Sequence, residues 1–244
     1  MISAVIITKN SENTIRNCII SLQGVVDEIL VIDSGSLDST IKIAHELGSK
    51  VVETEWKGYG LTKNLGHELA SNPYILSLDS DEELSIDLKK EIKHLKHSLN
   101  GYYEIKRLNR FGRKWIRHGA WYPDRKIRIF PKSTLWNDSP SHEKLMLDNA
   151  LPIHTLNGEL LHHAYNNIKE LKHKTFLYAR LGAKGKRGKS KFLAFVKMLF
   201  SPLVSFIKSY FLKRGLMDGR EGLIISYYIA LGTFLKYKFA IVED

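Results

Sequence analysis

Four short strand-like runs, three of them apolar, alternate with stretches of helical spacing between Ser3 and Leu78, and that alternation leaves few folds open. The runs are Ser3 to Thr8, Glu28 to Asp33, Lys50 to Glu55 and Tyr74 to Leu78, each of strand length. Between them, Ile15, Ile19 and Leu22, then Ile41, Ala44 and Leu47, then Leu61, Leu65 and Leu69 recur at three- and four-residue steps and predict the inward faces of three helices. Asn10 or Ser11 and Asp38 suit helix starts, Gly48 suits a helix end, and Pro73 breaks the third helix. Strand and helix in strict alternation imply a parallel sheet with right-handed crossovers. The expected fold class is therefore α/β: a Rossmann-like, mostly parallel sheet flanked by helices.

The fourth run ends abruptly in carboxylates, Asp79-Ser80-Asp81-Glu82-Glu83. In open α/β sheets, ligands collect at the carboxyl ends of strands, where Thr8, Asp33 and Asp79 are predicted to fall together. Clustered carboxylates repel one another, so such a group suggests a cation, and hard oxygen donors in small number suit Mg²⁺ or Mn²⁺ carried by a phosphate ligand. An acidic helix start explains the same residues on spacing alone, with Ser85 capping a helix from Ile86. The turn after the first strand reads Thr8-Lys9-Asn10-Ser11-Glu12-Asn13, with no glycine-rich loop, and no Walker lysine loop is present. Phosphate must be handled by other means, and a metal at Asp79 and Asp81 would serve.

Val5 to Asn10, Val31 to Ser36 with Asp38-Ser39-Thr40, Lys63-Asn64, and Leu78 to Glu82, in that order, resemble the family 2 glycosyltransferases of the GT-A fold. Gly119 to Asp124, Lys126 to Phe130, Ser141 to Leu145 and Gly215 to Gly222 look like the subgroup that adds glucose to the inner core of lipopolysaccharide. The resemblance implies a UDP-sugar donor, a saccharide or lipid-linked saccharide acceptor, and Mn²⁺ or Mg²⁺ as cofactor. It implies that Thr8 and Asn10 line the nucleotide pocket, that Asp33 contacts uracil or ribose, and that Lys63 lies beside the base or phosphates. Asp79 and Asp81 become a D-x-D motif, with Asp79 toward ribose or metal and Asp81 as metal ligand. An inverting transferase needs one base for the acceptor hydroxyl. The matching position is Glu143, with Asp124 as second candidate; His142 would position the base or touch phosphate, and His163 is a candidate extra metal ligand. Without the resemblance, Asp33 also reads as a turn former before Ser34-Gly35, Lys63 as a solvated helix lysine, Glu143 as a surface glutamate and His163 as a structural histidine. A non-catalytic nucleotide-sugar or anionic-lipid-binding module of the same fold is the alternative; Asp79, Asp81 and Glu143 together favour the enzyme.

Charge divides the chain. The net charge is +11, and residues 166 to 221 hold 14 Lys or Arg against 3 Asp or Glu, so this segment carries all of the excess. The predicted organisation is a catalytic domain over 1–165 and a basic helical region over 166–244. The basic cluster Lys184, Lys186, Arg187, Lys189 and Lys191 precedes an apolar segment, Phe192 to Leu212, that Lys197, Pro202 and Lys208 interrupt. Leu223 to Leu235 is uncharged but only thirteen residues long, short of the roughly twenty that cross a bilayer. Such segments suit the surface of an anionic membrane; the other expectation is a helical subdomain packed on the catalytic core or on another subunit. A basic loop is expected over Asn109 to Gly119, as a flap or a solvated surface. The charge sits in helical segments away from the acidic strand ends, so no nucleic acid partner is expected. One cysteine, Cys18, at helical spacing with Ile15, Ile19 and Leu22, rules out a disulfide framework. With no export signal evident, the expected location is cytoplasmic, peripheral on the inner face of the cell membrane.

Overall fold

The computed structural model describes residues 1–138, 143–185 and 190–242. His142 and, in the basic cluster, Lys186, Arg187 and Lys189 lie outside the described residues. The chain forms two compact units, Met1–Arg107 with Arg125–His162, and Leu108–Asp124 with His163–Asp244.

The first unit opens with the alternation read from the sequence: β1 (Ile2–Thr8), α1 (Ile15–Leu22), β2 (Glu28–Asp33), α2 (Thr40–Glu46), β3 (Lys50–Glu53), α3 (Tyr59–Leu69) and β4 (Tyr74–Asp79). Along the chain then follow β5 (Glu82–Leu84), α4 (Ile86–Leu95), β6 (Tyr102–Phe111), β7 (Lys114–Ile116), β8 (Asp124–Pro131) and β9 (Ile153–Tyr165), of which β7 and the last residues of β6 and β9 belong to the second unit. The strand order is β3-β2-β1-β4-β8-β6-β9-β5, with β7 on β6. The first four strands are parallel, while β8 on β4, β9 on β5 and β7 on β6 run antiparallel.

Strands covered on both faces are mostly apolar, and β1, with Ser3 and Thr8 its polar members, is buried at all seven positions. Ile2, Ala4 and Ile6 pack with Ile15, Cys18, Ile19 and Leu22 of α1 on one face; Val5 and Ile7 pack with Leu30, Ile32 and Phe130 on the other. Each such fully buried Ile or Leu contributes about 1.5–3 kcal/mol.

Helix α3 departs from the expected inner face. Leu61 and Leu69 are exposed, whereas Gly60, Thr62, Lys63, Gly66 and His67 are buried. Glycine explains the rotation: a Cβ on Gly66 would stand 2.3 Å from Val5 Cγ1, so no larger residue lets α3 lie this close to the sheet. The carboxylates after β4 do not begin a helix. Asp79 ends the strand, Glu82–Leu84 forms β5 against β9, and α4 starts only at Ile86, with Ser85 Oγ accepting the Leu88 N–H at 3.2 Å.

The second unit holds α5 (Ile168–Lys184), α6 (Lys191–Ile207) with a π-helical turn over Lys208–Leu212, and α7 (Gly219–Val242). Leu108–Asp124 belongs with these helices rather than with the catalytic strands, a different division from a single cut after residue 165. Packing accounts for it: Phe111 and Ile116 share a core with Leu171 and Ile225. The expected basic loop is a hairpin, since Asn109, Arg110 and Phe111 pair with Ile116, Trp115 and Lys114.

Candidate active site

Register brings the strand ends together in the first unit. Thr8 lies opposite Asp33, and Ile7 opposite Asp79. The loop after β1 is tied to both neighbours. Asn10, with φ at 50°, donates its N–H to Ser36 Oγ (2.8 Å) and accepts the Leu37 N–H at Oδ1 (2.8 Å). Ser11 Oγ meets Ser80 Oγ at 2.8 Å, between Asp79 and Asp81. Asn tolerates the left-handed conformation better than other side chains, which fits its position here.

Asp33 is fully buried. Its Oδ1 accepts the N–H groups of Gly35 (2.9 Å) and Ser36 (2.8 Å), and its Oδ2 accepts the Ser36 hydroxyl. The carboxylate therefore builds the turn that receives Asn10. Two hydroxyls at the same strand ends, Thr8 Oγ1 and Ser34 Oγ, are buried without a hydrogen-bond partner.

Lys63 is the centre of a buried chain of charges. Its Nζ lies 3.0 Å from Glu143 Oε1 and 3.5 Å from Asp79 Oδ1, and 4.6 Å from the centre of the Trp136 ring. Asn64 anchors the Trp136 backbone: its Oδ1 accepts the Trp136 main-chain N–H at 2.8 Å, and its Nδ2 donates to the Trp136 carbonyl at 2.9 Å. Asn137 and Lys144 then pair through Asn137 N–H to Lys144 O at 2.9 Å, which delivers Glu143 beside Lys63. A Cβ on Gly60 would meet the Asn137 carbonyl oxygen at 2.2 Å, so this glycine lets the start of α3 reach the same segment.

On the other side of Asp79 stands Arg128, buried on β8. Its Nη2 donates to Asp79 Oδ2 at 3.1 Å and to Glu82 Oε1, which also accepts Arg107 Nη1 at 3.1 Å. Glu82 is fully buried and accepts the Asp79 N–H at Oε2 (3.1 Å). Burial opposes the Asp79 charge, but Lys63, Arg128 and Arg107 outweigh it and hold the carboxyl well below the usual carboxylate range. Burial likewise opposes the Arg128 charge, and Glu82 and Asp79 reverse that, raising its pKa. One turn beyond Lys63, His67 is buried; burial, opposed by the Thr134 backbone and reinforced by the Lys63 charge, pushes its pKa down to about 4.

Asp81 is partly exposed, and His162 Nε2 lies 3.4 Å from its Oδ2 because β9 pairs with β5 at Glu82 and His162. His163 and Asp124 belong to the second unit, where the His163 ring packs against Trp115 at 5.5 Å. Arg128, Glu82, Arg107 and His162 were not anticipated as site residues; Trp136, expected either to stack on a sugar face or to pack in the core, lies beside Lys63 and in the core with Phe130. The sequence offered one signal, an arginine inside the otherwise apolar strand end Ile127-Arg128-Ile129-Phe130.

Residues 3–150 match the family described as Glycosyl transferase family 2. The chain is a family 2 glycosyltransferase. An uncharacterized glycosyltransferase of Rickettsia felis is 33% identical to the transferase over 254 residues, covering 96% of this chain and 87% of that protein. The lipopolysaccharide core biosynthesis glycosyltransferase LpsC of Rhizobium meliloti is 27% identical over 247 residues, covering 96% and 89%. Among solved structures, S. aureus TarS is similar over 98% of the transferase with a TM-score of 0.51 at 17% identity, a likeness of fold; the transferase spans 54% of that chain. The fold is GT-A.

The family implies a divalent ion, and the residues at the strand ends of the transferase fit one. Asp81 Oδ2 and His162 Nε2 form an adjacent oxygen and nitrogen donor pair, and the carboxylate is open to solvent on one side. Asp79 has both oxygens engaged by cations, Oδ1 by Lys63 and Oδ2 by Arg128. Among the described residues, no group of three or more His, Cys, Asp or Glu side chains is arranged to hold a metal. Mg²⁺ is ordinarily held by one or two carboxylates plus substrate phosphates, so a full protein cage is not required.

Proposed function

We propose that the transferase moves a sugar, glucose first among candidates, from a UDP-sugar to a hydroxyl of a lipid-linked saccharide, inverting the anomeric centre. The observation that carries this reading is the Asp79–Lys63–Glu143 chain, which links the D-x-D motif to a partly exposed carboxylate through one buried ammonium. In such a reaction the acceptor oxygen attacks the anomeric carbon as the bond to the diphosphate breaks. The acceptor proton passes to the Glu143 carboxylate, and the bonding electrons leave with UDP. Lys63 orients Glu143 from one side while its charge faces the phosphate side at Asp79.

Thr8 and Ser34 supply unpaired hydroxyls for the nucleoside, and Asp33 acts by shaping the Asn10 loop rather than by direct contact. A divalent ion, Mn²⁺ or Mg²⁺, held by Asp81 with His162, would neutralise charge on the departing diphosphate. This assigns the histidine role to His162 instead of His163. The donor is supported by the fold neighbour TarS, solved in complex with UDP, and the acceptor class by the LpsC relative.

The test is calorimetric titration of UDP and a panel of UDP-sugars with and without Mn²⁺, followed by transfer assays with Glu143→Gln. Metal-dependent binding of one UDP-sugar, with the variant binding donor but not transferring, is the expected result. Undiminished turnover by Glu143→Gln would shift the base to Asp124, and absence of UDP binding under every condition would refute the donor.

A further inference from the structure

Helix α6 of the second unit is built inside out. It packs along α7, with Ser205 Oγ 3.3 Å from Thr233 Oγ1. At 100° per residue, Ala194, Met198, Ser201 and Ser205 share one face, and Phe192, Leu199, Phe200, Leu203 and Ile207 share the opposite one. Ala194, Ser201 and Ser205, with Met198 among them, thus turn toward the protein, and the bulk of the large apolar side chains turns outward. Phe192 is 77% exposed, Phe200 63% and Leu203 60%, and no residue of α6 is buried. A helix of a water-bounded domain does the reverse. A continuous face of this kind calls for an apolar medium or partner.

Charge selects which. The chain carries no Asp or Glu between Glu170 and Asp218. Lys197 and Lys208 are exposed and, eleven residues apart, lie about 20° from one another on the helical wheel, at one border of the apolar face. Lys191 is exposed at the start of α6, and Lys213 and Arg214 are exposed just past the π-helical turn. A second copy docked on this face would set lysine against lysine with no carboxylate in the segment to answer. An anionic lipid surface accepts both features: acyl chains take the apolar face, and headgroups take ammonium groups that snorkel from its border. The 22 residues from Lys191 to Leu212 are long enough to cross a bilayer, but a crossing would strand Lys197 in hydrocarbon.

We propose that α6 lies in the interfacial plane of an anionic bilayer, with Phe192, Leu199, Phe200, Leu203 and Ile207 among the acyl chains. The inference is independent of the transfer reaction.

The experiment is flotation of the full chain with vesicles of phosphatidylcholine alone and of phosphatidylcholine with phosphatidylglycerol. Flotation with the anionic vesicles only, reversed by alkaline carbonate, is expected. The double variant Phe200→Glu, Leu203→Glu should lose about a hundredfold in vesicle partitioning, with thermal unfolding reporting that it still folds. As a second readout that keeps the native surface apolar, the difference in emission between Phe200→Trp and the parent, which carries four tryptophans of its own, should shift to the blue on adding anionic vesicles. The proposal is overturned by equal flotation of the double variant, by retention after carbonate, by an unshifted Trp emission, or by a dimer in solution that the double variant dissolves while the parent ignores vesicles.

Discussion

Arg128 on β8 donates through one nitrogen, Nη2, to both Asp79 and Glu82, and its side chain is only 4% exposed. The two carboxylates flank the turn that carries Asp81, so this guanidinium fixes the D-x-D motif from beneath. Removing one partner of a buried ion pair leaves the others uncompensated, at a cost of about 3–5 kcal/mol. Arg128→Leu is expected to lose that much stability in urea unfolding. Arg128→Lys should recover only part of it, since an ammonium is a compact, strongly hydrated charge that is costlier to bury than a guanidinium.

His67 makes stability depend on pH in a definite window. Its folded pKa is lowered to about 4, whereas an unfolded histidine titrates near 6.5. Between those values the unfolded chain binds a proton that the folded chain refuses. Stability therefore falls as pH drops from about 6.5 toward 4 and levels off below, by up to roughly 3 kcal/mol. His67→Leu should flatten the unfolding free energy across that window; an unchanged slope would remove His67 as its source.

Gly66 sets how close α3 lies to the sheet. Gly66→Ala places a methyl 2.3 Å from Val5 Cγ1, and overpacking of this kind costs about 1–3 kcal/mol. Since Lys63 is carried by the same helix, the substitution should also weaken donor binding, which separates it from Leu61→Ala on the exposed side of α3. Urea unfolding and donor titration on both variants check this.

The Asp81–His162 pair predicts the metal response. Asp81→Ala should abolish the Mn²⁺-dependent part of UDP affinity, and His162→Ala should weaken it by about 10–100-fold. His163→Ala should leave Mn²⁺-dependent affinity intact. Reversal of the two histidine results in the same calorimetric titration would restore His163 as the metal candidate.

The parallel strands were legible because both their faces are buried, and burial on both faces writes a mostly apolar run, interrupted only by small hydroxyls before the strand ends, into β1 and β4. The inner face of α3 was not, because helical spacing of Leu61, Leu65 and Leu69 outweighed a glycine whose close packing only the fold displays. Arg128 was hidden for another reason: forty-nine residues separate it from Asp79, and only the antiparallel pairing of β8 with β4 closes that distance. The choice between His162 and His163 depends on strand parity. Neighbouring residues of a strand face opposite ways, and register with Glu82 is invisible before the sheet is assembled.

Cys18 lies under this turn, its sulfur 3.8 Å from the Asp79 carbonyl oxygen. Burial, reinforced by the charges of Glu82, Asp81 and Asp79, pushes the thiol well above its ordinary pKa, and a thiol held protonated and enclosed reacts slowly. The chain has no other cysteine. It is thus expected to react only slowly with maleimides and spin-label reagents as it stands. A cysteine introduced at Leu203 would be the one handle taken up, giving a single-probe reporter of the depth at which α6 rests without first stripping the native thiol from the catalytic unit.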